Sequence, residues 1–258
     1  MRHILITGAT GGLGQALALA YAEPQTLLTL TGRNQEMLEQ LRHKCEEKGT
    51  RLQTQVLDLQ DGAEIGRWVR QMDLQYPVDL VLANAGVSSS VGMQDEAEDI
   101  LDMRRSFSIN TLAAVETVLP LAERMRCRRN GQIALVSSLA GWRGMPSSPA
   151  YSASKAAVRT YGQALRAWLA PYQVKVSVIS PGFVDTPMSR RYQGAKPFLI
   201  SAEKAARIIK TGLQKNKPEI TFPLILGLGI KMLDLLPART GDFILRRFFR
   251  FYVHPEDR

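Results

Sequence analysis

Short apolar runs recur along the chain, and between them the apolar residues return at helical spacing. The runs are HILIT (3–7), TLLTLT (26–31), RLQTQVLD (51–58), VDLVLANAG (78–86), GQIALVSS (131–138), VKVSVIS (174–180) and the shorter EITF (219–222). Runs of this length, rich in Val, Ile, Leu and Thr, read as strands, and continuous rather than alternating apolarity places them inside a sheet covered on both faces. Strand and helix in alternation imply βαβ units. The pattern therefore predicts a doubly wound α/β fold with a parallel sheet of about seven strands and helices on both faces.

Composition narrows the function classes. With 258 residues, 45% of them hydrophobic, the chain can bury a sizeable core. Cys45 and Cys127 lie far apart in no paired motif, and His3, His43 and His254 are scattered singly, so neither a disulfide framework nor a metal site is expected. The apolar run after Met1 gives way at once to TGATGGLG, which does not fit a secretory leader and points to the cytoplasm. The net charge of +9 is uneven: residues 186–258 hold 14 Lys/Arg against 6 Asp/Glu, leaving +1 for residues 1–185. Nucleic-acid binding has no support beyond that basic tail.

Two stretches carry the candidate chemistry. The first strand runs into TGATGGLGQALALAYAE, a glycine-rich turn opening an amphipathic helix, where backbone N–H groups and the helix dipole can receive a pyrophosphate. Gly8 suits a tight turn, Gly12 close approach of a ligand, and Gly14 close packing of helix on strand. Further on, SSPAYSASKAA sets Tyr151 four residues before Lys155, on one helical face. A cation beside a phenol of pKa about 10 favours the phenolate and would bring the group toward the range where acid–base catalysis works.

Together with ANAG (83–86), SIN (108–110), VSSLAG (136–141) and PGFVDT (181–186), these stretches resemble, in order and interval, the short-chain dehydrogenase/reductase family with its TGxxxGxG and YxxxK motifs. The likeness covers residues 3 to about 222. Gly8, Gly11 and Gly14 also fit the TGxxGxxG spacing of the longer sugar-nucleotide branch, but too few residues follow Thr186 to build that branch's second domain. The resemblance implies a Rossmann-type sheet in one domain, with 187–222 as a substrate-loop region and 223–258 as an extension.

It also implies roles. Tyr151 is the acid or base at the substrate oxygen; Lys155 lowers its pKa and holds the nicotinamide ribose. Ser138, rather than its neighbour Ser137, donates to the developing alkoxide, and Asn110 positions a water for Lys155. Cofactor contacts are implied at Gly8, Thr10, Gly12, Leu13, Gly14, Asp58, Leu59, Asn84, Gly86, Tyr151, Lys155, Pro181, Gly182, Val184 and Thr186. Where relatives that prefer NAD(H) carry an acidic residue at the end of the second strand, this chain has Gly32 followed by Arg33 and Asn34, which favours NADP(H). Ala83 replaces the first asparagine of the family's NNAG, for which a small stability effect is expected.

The expected function is an NADP(H)-dependent oxidoreductase exchanging hydride between nicotinamide and a ketone, aldehyde or secondary alcohol, with a hydrophobic substrate and a homo-oligomeric state. The alternative is a non-catalytic dinucleotide-binding regulator or membrane-surface scaffold. PLILGLGIKMLDLLP (223–237) is too short to span a bilayer. In DFILRRFFRFY (242–252), Arg246, Arg247 and Arg250 fall opposite Ile244, Leu245, Phe248, Phe249, Phe251 and Tyr252. Such a surface suits a lid, a subunit interface or peripheral contact with the inner face of a membrane.

Overall fold

The computed structural model describes residues 1–60, 62–91, 97–248 and 252–253. Seven strands, β1 (Arg2–Ile6), β2 (Thr26–Gly32), β3 (Arg51–Val56), β4 (Leu80–Ala83), β5 (Gln132–Val136), β6 (Lys175–Pro181) and β7 (Glu219–Phe222), form one parallel sheet. Their order is β7-β6-β5-β4-β1-β2-β3. The chain builds outward from β1 to β3, then crosses back to β4 on the other side of β1. That reversal splays the connections apart at the carboxyl ends of β1 and β4, leaving the crevice where such sheets bind ligands.

Helices fill both faces. α1 (Gly12–Tyr21), α2 (Gln35–Glu46) and α7 (Ala202–Gln214) bury Leu17, Leu38 and Ile209 against Ile4, Ile6, Leu28 and Leu30. Across the sheet, α3 (Gly62–Gln75), α5 (Ala113–Arg128) and α6 (Pro149–Leu169) bury Val69, Leu121 and Val158 against Leu5, Val81 and Leu135. The central strands are apolar on both faces because both faces are covered. β3, at the sheet edge, carries the more polar RLQTQV. α4 (Ile100–Phe107) leads into α5 through a single π-turn at Ser108–Leu112.

The run predicted over 78–86 pairs only over Leu80–Ala83. The residues after Ala83 leave the sheet to line the crevice. Beyond β7 the extension folds as α8 (Leu224–Asp234) and α9 (Ala238–Phe248). Ile230 and Leu245 pack on Leu139 and Met145, the segment between β5 and α6. Arg143 from that segment pairs with both Asp234 and Asp242, at 3.2 and 2.9 Å, and Trp142 lies between the Arg159 and Lys231 cations. Within the two-sided arrangement expected for 242–252, Leu245 turns into the protein while Arg246 and Arg247 are exposed, and Phe243, which belongs to neither side, is exposed too. Phe249, Arg250 and Phe251 of that reading lie outside the described residues. Tyr252–Val253 pairs with Tyr192–Gln193, bringing the tail back to the substrate segment.

Candidate active site

The glycine loop takes the form its residues require. Gly8 has φ +65°, and a Cβ there would stand 2.7 Å from the Ala85 Cα. On Gly14 a Cβ would stand 2.1 Å from the Gly8 carbonyl oxygen, so only glycine lets α1 begin this close to β1. A Cβ on Gly12 would press on Thr186 at 2.9 Å, which places PGFVDT beside the loop. α1 starts with no side-chain cap. Its first-turn amides, Gly12, Leu13 and Gly14, thus present a helix N-terminus to the crevice.

β4 holds this loop. The Asn84 backbone N–H donates to the Thr7 hydroxyl, and its side-chain amide donates to the carbonyls of Thr7 and Gly8 at 3.0 and 3.2 Å. Ala83 beside it is buried and apolar, so the anchoring falls to Asn84. A Cβ on Gly86 would meet Asn110 Oδ1 and Lys155 Nζ, each at 3.1 Å. The glycines thus leave room along a path from the loop to α6, with helix N–H donors of the kind that receive a phosphate.

At the end of β2, a Cβ on Gly32 would stand 2.6 Å from the Thr10 methyl, so any side chain at this position would press on Thr10. Arg33 next to it is exposed, and among the described residues no carboxylate pairs with it. Asn34 is occupied differently: its Oδ1 accepts from Met37 N–H at 2.9 Å as the N-cap of α2. Asp58 folds back on Gln60, accepting from its backbone N–H at 3.1 Å, and Leu59 is buried beside it. Pro181 ends β6, Gly182 N–H donates to Phe222 O, and Val184 pairs with Ile200. Thr186 caps the turn Pro187–Arg190 in a reciprocal box with Ser189.

The adjacent serines part company. Ser137 Oγ is buried and donates to the Lys155 carbonyl at 2.7 Å, tying β5 to α6. Ser138 Oγ, on the opposite side of the extended backbone, stands beside the Tyr151 phenol, donates to the Pro181 carbonyl at 3.5 Å and accepts from Ala140 N–H at 3.1 Å. Asn110 is buried in the π-turn; it accepts from Val87 N–H at 2.7 Å and donates to Val87 O and Ser154 Oγ, both at 2.9 Å. Ser154 Oγ in turn donates to the Tyr151 carbonyl. Asn110 therefore fixes the exit of β4 to α6.

One expectation is reversed. Burial pushes the Tyr151 phenol above its ordinary value, and the influence opposing this is the neighbouring Ser138 hydroxyl, with no resolved contribution from Lys155. The Lys155 Nζ instead donates to the Val136 carbonyl at 3.0 Å, and burial lowers its own pKa to about 8. Helical spacing sets both side chains on one face, but the deep pocket desolvates each of them more than they help one another.

Sequence reading missed Tyr192, Ser148 and Glu98. The half-buried Tyr192 stands close to Tyr151; burial pushes its phenol up to about 12, while the neighbouring Ser88 and Ser148 hydroxyls pull it down. Glu98 accepts from Ala150 N–H at 2.8 Å at the start of α6. Nothing in the mixed segment 187–200 marks Tyr192, because its position depends on how that loop folds back. A cavity of about 550 Å³ beside Trp142, Met145 and Leu245 lies apart from this site, since neither Ser138, Tyr151 nor Lys155 lines it.

The family model described as short chain dehydrogenase matches residues 2–196. An uncharacterized oxidoreductase of Myxococcus xanthus is 33% identical over 251 residues, 95% of this chain and 97% of that protein. The 3-ketodihydrosphingosine reductase of Bos taurus is 30% identical, covering 83% of this chain and 69% of its own. Among solved structures, a short-chain dehydrogenase from Sphingobium yanoikuyae in complex with NADPH superposes with a TM-score of 0.79 at 23% identity, covering 94% of this chain and 95% of that one.

Proposed function

Because this chain belongs to the short-chain dehydrogenase/reductase family, and is thus an oxidoreductase using a nicotinamide dinucleotide on a small molecule, we propose that it is an NADP(H)-dependent carbonyl reductase acting on a hydrophobic ketone, aldehyde or, in reverse, secondary alcohol. The observation that carries this reading is the gathering of Ser138 and Tyr151 beside buried Lys155 at the end of a glycine path. When bound, the nicotinamide supplies the hydride. Tyr151, kept protonated by burial, gives its proton to the carbonyl oxygen. Ser138 donates a hydrogen bond to the same oxygen as charge develops there. Lys155, an ammonium below about pH 8, is the group to hold the ribose hydroxyls and restore the Tyr151 proton. Asn110 acts as a positioning residue through Val87 and Ser154.

Arg33, exposed and next to a glycine where relatives that prefer NAD(H) carry an acidic residue, supports a 2′-phosphate and hence NADP(H). The apolar α8 following β7, and a relative named for a keto substrate, 3-ketodihydrosphingosine, support a hydrophobic substrate. Exposed Leu112, Leu119 and Trp168, which lie before, on and near the end of the two long helices α5 and α6, support a homo-oligomer; action in the cytoplasm completes the reading.

The test titrates NADPH and NADH, then screens aliphatic, steroid and quinone-like carbonyls. Tyr151→Phe is expected to bind NADPH normally and lose turnover by about 10²- to 10⁴-fold. Arg33→Glu is expected to weaken NADPH far more than NADH. Binding without turnover across the whole panel would favour a regulator, and equal weakening of both cofactors would end the NADP(H) assignment.

A further inference from the structure

The extension carries a surface that the reaction does not use. On α8, Leu224, Ile225, Leu228 and Met232, continued by Leu235 at its end, form one stripe at helical spacing, each more than 60% exposed. Phe243 of α9 is 70% exposed. The opposite face of α8 is fixed: Gly227 and Ile230 are buried, Leu226 and Leu233 pack against the segment after Ser138, and Arg143 holds both helices. The stripe therefore cannot be covered by rotating the helix without dismantling its packing on the catalytic segment. Exposed apolar surface of this extent marks a contact with something outside the molecule.

We propose that this stripe is an interfacial docking surface for an anionic lipid bilayer. Charge selects the occupant. Residues 223–258 carry six Lys/Arg against four Asp/Glu. On the two helices, Asp234 and Asp242 are both held by Arg143, Arg239 is exposed, and Lys231 is exposed with its ammonium over the Trp142 ring. With both carboxylates neutralised, the cations bordering the stripe attract anionic headgroups while the leucines enter the boundary beneath them. α8 has 11 residues, about 16 Å of helix, against a hydrocarbon core of about 30 Å, so it lies in the interface plane rather than across it. Among the described residues no helix is long and apolar enough to cross a membrane.

Position gives the docking a consequence. α8 starts at Pro223, directly after the carboxyl end of β7, and its Leu226 stands 3.3 Å from a Cβ built on Gly182 in the segment that flanks the glycine loop. Lipid contact through the stripe therefore sets the crevice end of the sheet at the bilayer, where a hydrophobic substrate dissolves.

The experiment floats purified full-length protein with vesicles of phosphatidylcholine alone or mixed with phosphatidylserine, at low and high salt. Wild type is expected to rise with the phosphatidylserine vesicles at low salt and to be released by salt. The double variant Leu228→Glu/Met232→Glu replaces two exposed side chains, so it should fold and reduce a water-soluble ketone normally while its vesicle partition falls at least about ten-fold. Three outcomes overturn the proposal: wild type staying in the dense fraction at low salt, wild type and variant floating equally, or sedimentation showing a dimer that the variant dissolves without any flotation. Ketone turnover is read independently, so a failure of docking is separable from a failure of the reductase reading.

Discussion

Ser137 and Ser138 show how far one position along a strand decides a role. Successive side chains of an extended backbone point to opposite sides, so one hydroxyl is buried against α6 and the other meets Tyr151. Ser138→Ala is expected to reduce kcat by about 10²- to 10³-fold with little change in stability. Ser137→Ala leaves the buried Lys155 carbonyl without this donor and should cost about 1 to 2 kcal/mol in urea unfolding. Exchange of the two phenotypes would refute the assignment. Lys155 gives the pH dependence. Its pKa is lowered to about 8 by burial, so the ammonium is present below that value and lost above it, while Tyr151, pushed upward, stays protonated. The kcat/KM for reduction is expected to be flat at neutral pH and to fall about ten-fold per unit above about pH 8. A profile flat to pH 10 would contradict it. At this scale the sequence singled out Tyr151, Lys155 and Ser138 as candidates, but the direction of the Tyr151 shift depends on the burial that packing imposes.

Elements are held in register by contacts that no motif announces. Asp73, in the last turn of α3, is fully buried and accepts from Val78 N–H at 2.7 Å, from Arg128 at 3.1 Å and from Arg124. Burial opposes ionisation here, but the Val78 amide and the two guanidiniums outweigh it and keep the carboxyl below its usual range. The cluster ties α3 and α5 to the entry of β4, the strand whose exit carries Asn84 and Gly86. Asp73→Ala strands the Val78 amide, while the arginines, partly exposed, can turn to water. A loss of about 2 to 3 kcal/mol is expected by urea unfolding, with Tyr151-dependent chemistry retained. An unchanged midpoint would show the cluster to be ornamental. The strands were legible because their apolar runs are dictated by two covered faces. Their ends were less so, since Asn84 and Gly86 continue an apolar-looking run yet serve the glycine loop.

Across the whole molecule, the chain determined by itself what depends on local chemistry and order: which segments are strands, that they form a parallel sheet, and where glycine is required. Periodicity, turn chemistry and motif spacing act over a few residues and survive in the linear text. Only the tertiary structure decided what depends on neighbours distant in sequence. It brought Thr10 against Gly32, turned Lys155 toward Val136 and carried Tyr192 back beside Tyr151. It also chose which side of the apolar extension packs on Leu139 and Trp142 and which faces outward. Burial and long-range packing are properties of the folded whole, because desolvation depends on everything that surrounds a group rather than on the residues beside it in the chain.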